Sequence, residues 1–198
     1  MESRLRGNDG TFGTCVGLKH TDPADIDAAA AEPRARIDDF ITVSEVDDGP
    51  GFADSLFERA YRTKVPDFPH HIVAFYHRPD ATKVPVSYVH FTDCGDIFLA
   101  GGAATDGTLL RAMTPEQQAA LHAYGGLMLA TLRHGFEKYG PRSEAIFTCC
   151  GDKRALETTP KLGFIETGVQ YLLVNWLQTT DPKRRREMLA KARNFMPF

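Results

Sequence analysis

The sequence predicts an α/β fold, and three patterns predict that class. Apolar and polar residues alternate along Phe40–Val46, which is the period of a half-buried β-strand. Two apolar runs, His71–His77 and Val84–Thr92, are separated by a short turn, and such close spacing favours an antiparallel pair. Apolar residues recur every three or four positions along Gly51–Arg62 and Pro115–Tyr139, which is the period of a helix with one buried face.

The bulk composition is that of an ordinary globular protein. The chain has 198 residues, a hydrophobic content of 42% and a net charge of −3, enough for one domain with a sizeable core. The negative charge argues against a general nucleic-acid binder, and the apolar runs are too short to cross a membrane. The cysteines show neither zinc-like pair spacing nor a disulfide pattern, which favours the cytoplasm and no metal site; they are Cys15, Cys94, Cys149 and Cys150.

Residues 1–39 are predicted to be an N-terminal arm outside the main domain. Met1–Gly13 is rich in glycine and polar residues and is expected to be loose. Asp22 is a suitable cap for a short helix that has Pro23 at its first position, and Pro33 ends that helix. The arm therefore carries one short helix in this prediction.

Two glycine pairs interrupt the middle of the chain. Gly101–Gly102 lies within the strand pattern Ile97–Ala104, and glycine inside a strand indicates a bulge or the close approach of another backbone. Thr114 then caps a helix that has Pro115 at its first position. Gly125–Gly126 falls within this helical pattern, so the region is either one long helix or two helices joined at the pair.

The most informative stretch is Asp152–Phe164. It follows a predicted buried strand, Ala145–Cys150, and precedes the last predicted strand, Val169–Leu177. Asp152 is a suitable helix cap, and Pro160 ends the short helix that begins there. A strand that ends at a helix N-terminus is a good place to bind a polar ligand, because unpaired N–H groups point outward there.

This stretch resembles a segment of the GNAT superfamily, the acyl-CoA-dependent N-acyltransferases. The family often has Asn-x-Arg-Ala-x-x-x-Tyr-x-Lys-Leu-Gly-Phe at this place. This chain has Asp152 at the asparagine position, matches the family at Arg154 and Ala155, and matches it again over Lys161–Phe164. Thr159 stands where the family usually has a tyrosine, which often protonates the leaving coenzyme A thiolate. The chain therefore looks like a divergent member.

The resemblance covers residues 40–177 and implies a GNAT-type fold, with a mixed, mostly antiparallel, twisted sheet and helices on both faces. It implies transfer of an acyl group from acetyl-CoA or another acyl-CoA to an amine of a small molecule or peptide. The irregular stretch around Pro66 and Pro69 would form part of the acceptor wall, and a strand bulge would direct a backbone N–H at the thioester. The residues implied at the coenzyme are Gly101, Gly102, Ala103, Asp152, Arg154 and Thr159.

The pyrophosphate loop of the family has only a partial counterpart. The family typically has Gln/Arg-x-x-Gly-x-Gly/Ala at a helix start, and the nearest match here is His122–Leu127. If the predicted helix is continuous, the N–H groups near Gly125 are already bonded and cannot bind phosphate. Pro115–Gln117 would then be a substitute anion site. If the loop does bind the pyrophosphate, the residues that contact the coenzyme are Tyr124, Gly125, Gly126 and Leu127.

Three residues are candidates for catalysis. His90 is either a general base, because imidazole titrates near neutral pH, or a half-exposed strand residue. Cys149 is either a nucleophile that needs a base such as His90 or His122, or a small buried hydrophobe. Tyr171 is either the proton donor that Thr159 cannot be, or a core residue.

Residues 178–198 are predicted to form a basic, amphipathic C-terminal helix or tail. Lys183–Arg186 belongs to its charged face, which is either solvated or attracts an acidic partner or a membrane surface. Its apolar face contains Met188, Leu189, Ala192 and Phe195. This face is expected to dock on the domain or on a second subunit, and it is the basis for predicting a homodimer.

The leading functional hypothesis is therefore an acyl-CoA-dependent N-acyltransferase. The weak phosphate loop and the missing tyrosine favour an alternative, a non-catalytic ligand-binding or regulatory module on the same scaffold. A third hypothesis, a cysteine-based acyl-enzyme, rests on Cys149 alone.

Overall fold

Seven β-strands form one sheet in the computed structural model, which describes residues 35–179 and 181–198. In chain order they are β1 (Ile41–Val46), β2 (His70–His77), β3 (Lys83–Asp93), β4 (Ile97–Thr105), β5 (Ala145–Cys149), β6 (Ile165–Glu166) and β7 (Leu172–Trp176). Across the sheet the order is β1-β2-β3-β4-β5-β7-β6, and β4–β5 is a parallel pair between antiparallel neighbours. The predicted mixed, mostly antiparallel sheet is confirmed.

The described α-helices lie on both faces of this sheet, as predicted. They are α1 (Gly49–Tyr61), α2 (Gly107–Ala112), α3 (Pro115–Tyr124), α4 (Leu127–Tyr139), α5 (Lys153–Thr158) and α6 (Pro182–Arg193). Phe57 of α1 packs with Tyr88 of β3, whereas Leu132 of α4 packs with Phe91 of the same strand. Residues three apart on a strand point to opposite faces, so α1 and α4 cover different sides.

Most predicted elements are present, and two of the differences have clear causes. α2 is not predicted, because its six residues are too few to show a helical period; its start is capped by Asp106, whose Oδ1 accepts hydrogen bonds from the N–H groups of Thr108 and Leu109. The last strand begins at Leu172 and not at Val169, since Tyr171 has a left-handed backbone with a φ of 66°. The predicted helix after Asp22 lies outside the described residues.

Glycine decides the question of one helix or two. Gly125 has a φ of 102° and Gly126 a φ of 104°, a backbone region that disfavours other residues. The N–H of Gly125 bonds to the carbonyl of His122 and ends α3, and α4 begins at Leu127. The two-helix alternative is therefore correct.

The C-terminal helix α6 docks on its own domain, on the same side of the sheet as α1. Arg184 donates to Glu144 at 2.6 Å and to Asp96 at 2.7 Å, while Met188 and Ala192 are fully buried. The apolar face that suggested a homodimer is thus used within the chain, and the homodimer stays a prediction. Within the described ranges, no helix is both long and apolar enough to span a membrane.

Candidate functional site

A gap opens in the middle of the sheet where β4 and β5 separate. The two strands pair from Ile97 with Ala145 up to Ala100 with Thr148, and their pairing stops there. β4 continues alone along β3 to Thr105. The resulting cavity, which we call the slot, has a volume of about 520 Å³. A slot through a sheet exposes backbone groups of both strands to a bound molecule.

A bulge in β4 borders the slot. Between the pairs Tyr88–Ala104 and His90–Gly101, β3 contributes one residue and β4 contributes two. Gly102 lies in this bulge with a φ of 58°, and a Cβ atom placed on it would come within 2.5 Å of His90 Nδ1. The bulge predicted at Gly101–Gly102 is therefore present, and Ala103 beside it is exposed in the slot.

A groove of about 330 Å³ extends from the slot to the N-terminus of α4. Gly125, Gly126 and Leu127 line it, and α4 has no side chain that caps its first N–H groups. The N-terminus of α3, in contrast, is closed by a capping box between Thr114 and Gln117. The residues that line both cavities make them continuous; they are Ala103, Met128, Asp152, Ala155 and Thr158. The groove therefore ends at open N–H groups suited to an anion.

Two cations lie at this end of the site. Arg154 lines the groove, and a Cβ atom placed on Gly125 would be 3.7 Å from Lys161 Nζ. Both side chains are exposed, and neither forms an ion pair with any described residue. Unpaired cations beside open N–H groups favour a phosphorylated ligand.

His90 lies at the opposite end of the slot, beneath the bulge. It is 1% exposed, neither ring nitrogen has a hydrogen-bond partner, and its ring stacks on Phe68 with centroids 3.4 Å apart. Burial, with a smaller contribution from His71, lowers the pKa of His90 to about 3. His90 is therefore neutral at physiological pH, and its half-exposed alternative is wrong. A buried polar side chain without a partner is expected at a ligand site.

The thiol groups in the slot are not activated. Cys149 and Cys150 both line it, and burial raises the pKa of each thiol. His90 bonds to neither of them, and His122 is exposed on α3 and does not line the slot. A nucleophilic cysteine needs a lowered pKa or a neighbouring base, so this geometry argues against an acyl-enzyme.

Asp152 and Thr159 support the helix that follows β5. Asp152 Oδ1 accepts a hydrogen bond from the N–H of Ala155 at 3.0 Å, which is the predicted helix cap. Thr159 is 3% exposed, and its hydroxyl donates to the carbonyl of Ala155 at 2.9 Å. Both residues line the slot, but the Thr159 hydroxyl is occupied by the backbone.

Two predicted site residues do not line the slot or the groove. Tyr171 is 56% exposed and lines a separate cavity near Leu156, because it belongs to the turn before β7. Tyr124 lines a shallow cavity on the β1 side, where the guanidinium of Arg133 lies 4.9 Å from its ring. The structure therefore does not bring Tyr171 to the other catalytic candidates, nor Tyr124 to the other groove residues.

The structure adds aromatic residues that the sequence analysis did not place at the site. Phe57 and Tyr61 of α1 line the slot, and the Tyr61 hydroxyl donates to the carbonyl of Ala103 at 2.8 Å. Burial raises the pKa of Tyr61, and the nearby Asp152 adds to this. Their spacing of four residues on a predicted helix was an available signal, because it places both rings on one face. Phe68 falls within the predicted acceptor wall.

The described residues contain no group of three or more histidine, cysteine, aspartate or glutamate side chains arranged to bind a metal ion.

Comparisons with known proteins give similarity in structure alone. No family model matches the chain, and no curated protein matches it in sequence. The ribosomal-protein-S18-alanine N-acetyltransferase of Escherichia coli is 13% identical with a TM-score of 0.49, over 72% of this chain and 97% of that chain. Tetrahymena GCN5 is 11% identical with a TM-score of 0.46, over 71% and 98%. FdhC, a nucleotide-linked sugar GNAT, is 12% identical with a TM-score of 0.43, over 78% and 94%. Identities this low leave the activity to be argued from the residues of this chain.

Proposed function

We propose that the chain is a divergent GNAT protein and an acyl-CoA-dependent N-acyltransferase. The observation that carries this proposal is the slot between β4 and β5, which is continuous with a groove that ends at the N-terminus of α4. A thioester on a long phosphorylated arm fits this shape, because the phosphates need an anion site and the thioester needs access to the opposite face of the sheet. The motif in Asp152–Phe164 supports the same assignment.

The coenzyme end is formed by backbone groups and two cations. The open N–H groups at Leu127 face the groove, and Arg154 and Lys161 flank it. A helix N-terminus and cations both stabilise phosphate oxygens. Gly125 and Gly126 provide the turn that exposes these N–H groups. These residues would hold the pyrophosphate of an acyl-CoA.

The acyl-transfer step takes place at the bulge. The amine nitrogen attacks the thioester carbonyl, a C–N bond forms and the C–S bond breaks. Backbone N–H groups near Gly101–Ala103 would stabilise the oxyanion, since β5 no longer pairs with β4 there. The ring nitrogen of His90 that carries no hydrogen would accept the amine proton, directly or through a water, and His90 would become the imidazolium. The leaving thiolate would take its proton from water that enters the open groove, since the hydroxyls of Thr159 and Tyr61 both donate to backbone carbonyls.

A non-catalytic binding module is the alternative, and a specific observation favours it. The low pKa of His90 makes it a weak base, and Thr159 is bonded to the backbone. Such a chain would bind acyl-CoA without turning it over. Three further points stay predictions: that the acceptor is an amine of a small molecule or peptide, that the protein is cytoplasmic, and that it forms a homodimer.

Two measurements test the proposal. Thermal unfolding with millimolar acetyl-CoA or free coenzyme A should show a raised Tm, because a ligand that binds the folded state stabilises it. Thiol release from acetyl-CoA in the presence of an amine panel should then exceed the rate without amine. Unchanged Tm with both ligands would remove the acyltransferase and the binding module together. A raised Tm without amine-dependent thiol release would establish the binding module instead.

A further inference from the structure

The acceptor end of the slot already contains part of the chain itself. Pro197 and Phe198 line the slot together with His90. A Cβ atom placed on Gly101 would come within 2.3 Å of the Phe198 carbonyl carbon and 2.5 Å of its oxygen. Only glycine at this position leaves room for so close a backbone. The second glycine of β4 is thus explained by the bulge, and the first by this contact.

The same segment also contacts the opposite wall of the slot. Phe198 and Cys149, which ends β5, line the slot together and pack in the same apolar cluster. Gly101 and Cys149 belong to the two strands that separate, so Phe198 bridges the gap between them. This is the place where an acceptor amine must approach a thioester that enters from the groove side.

Helix α6 fixes the position of this segment. Arg184 bonds to Glu144 and Asp96, and Lys191 bonds to Asp96 at 2.5 Å. Met196 and Phe198 pack against the apolar cluster beneath α6, which includes Leu99 and Phe147. Phe195, in contrast, is 50% exposed and does not line the slot. The segment is therefore held in the slot by a docked helix.

The side chains that line the acceptor end are mostly apolar and carry no charge. Phe57 and Phe68 line it, and His90 is neutral because burial lowers its pKa to about 3. Among the described residues, Asp152 is the carboxylate that lines the slot, and it lies at the groove side, where it caps α5. A polycationic amine would lose its hydration here without gaining charged partners. An amine with an aromatic group would contact the rings of Phe57 and Phe68 there.

We propose that the segment Met196–Phe198 is an intramolecular competitor of the acceptor, and that the acceptor is an amine with an apolar, preferably aromatic, group. This inference rests on the proposed function, and it adds the substrate class and a means of regulating access. The segment takes up the space beside Gly101 and Cys149, so an amine that approaches the bulge there competes with it, and removal of the segment should strengthen amine binding.

The test compares three variants, with phenethylamine and spermidine as probe amines. One lacks residues 196–198, one is Phe198→Ala, and the control is Phe195→Ala, which removes an exposed ring outside the slot. Calorimetry without acetyl-CoA should give a Kd for phenethylamine lowered about tenfold by the deletion and about threefold by Phe198→Ala. The control should match the unaltered protein, and spermidine should bind weakly to all four. The KM for acetyl-CoA should not change.

Other outcomes overturn the inference in distinct ways. If the deletion variant and Phe198→Ala bind phenethylamine only as tightly as the unaltered protein does, the segment is not a competitor. If they bind phenethylamine more weakly than the unaltered protein does, the segment is part of the pocket wall. Tighter binding of spermidine would overturn the substrate class. If the deletion variant fails to fold, Phe198→Ala decides the same question. If the unaltered protein itself does not bind acetyl-CoA, that result refutes the proposed function instead.

Discussion

The two ends of the slot are built from different kinds of group. The coenzyme end consists of open helix N–H groups, two glycines and the exposed cations Arg154 and Lys161. The acceptor end consists of aromatic rings and the buried His90, and the chain's own Phe198 lines it. One end is exposed and charged, and the other is lined by apolar and neutral side chains.

This difference matches two different physical tasks. Attraction of a phosphate by cations acts over several ångströms and does not need burial. Proton transfer and attack on a thioester need fixed geometry and exclusion of water. A chain that kept only the first end would be a binding module, so the acceptor end decides whether the protein is an enzyme.

The largest effect is expected from Gly102→Ala, because the bulge joins the two ends. A Cβ atom there would meet His90 Nδ1 at 2.5 Å and Phe57 Cε2 at 2.8 Å, and the left-handed backbone adds strain of about 1 kcal/mol. We expect thiol release to fall by about 100-fold or more, since oxyanion donors lose their position. Gly168→Ala is the matched control, because its φ is also positive at 82° but no atom lies within 4 Å of the added Cβ. Equal rates in the two variants would show that the bulge does not contact the thioester.

The second prediction concerns the acceptor end alone. His90→Leu removes two buried nitrogens that have no partner, so stability should rise or stay the same while kcat falls by about 100-fold. The matched control is His122→Leu, which changes an exposed histidine outside the slot. Loss of stability without loss of kcat would make His90 a structural residue.

His90 also makes a prediction about pH. Its pKa falls from 6.5 to about 3 on folding, so the unfolded chain binds more protons between these values. The His90 contribution to stability is therefore complete above pH 6.5 and is lost as pH falls towards 3. Thermal unfolding between pH 7 and pH 4 should show the Tm of the unaltered protein falling faster than that of His90→Leu. Parallel curves would mean that His90 is not buried as a neutral ring.

The third prediction concerns the coenzyme end alone. Lys161→Ala and Arg154→Ala should each raise the Kd for coenzyme A about tenfold, because each removes a charge-assisted contact to phosphate. The KM for the amine should stay the same. Lys183→Ala, an exposed lysine on α6, is the control. A change in the amine KM alone would reverse the assignment of the two ends.

The sequence predicts the two ends unequally well, for physical reasons. The bulge is predictable because glycine weakens a strand and is found there mainly at a bulge or at the close approach of another backbone. The cap Asp152 is predictable because an aspartate side chain can accept hydrogen bonds from the first N–H groups of a helix. The sequence does not decide between one helix and two at Gly125–Gly126, because apolar residues continue at helical spacing on both sides of the pair. Local patterns determine these features, and most of them lie near the coenzyme end.

The acceptor end depends on contacts between distant segments. The residues after α6 show no periodic pattern, so the sequence does not predict that Phe198 lies against Gly101. Tyr171 was misplaced because strand alternation does not show where a strand begins, and a left-handed turn takes it out of β7. Burial of His90 likewise comes from Phe68 in a loop of another segment.

The smallest effect is expected from Arg184→Ala, which loosens α6 without touching the slot. Arg184 donates to Glu144 and Asp96 at 2.6 and 2.7 Å, but solvent screens this exposed ion pair, so its loss should lower Tm only slightly. A looser α6 holds Phe198 less firmly, so the amine KM should fall about twofold while the Kd for coenzyme A stays the same. Arg186→Ala, an exposed arginine on the same helix, is the control. A raised KM for the amine would show that α6 helps to form the pocket. A lowered KM would show that α6 acts on the acceptor end by holding the competing segment in place.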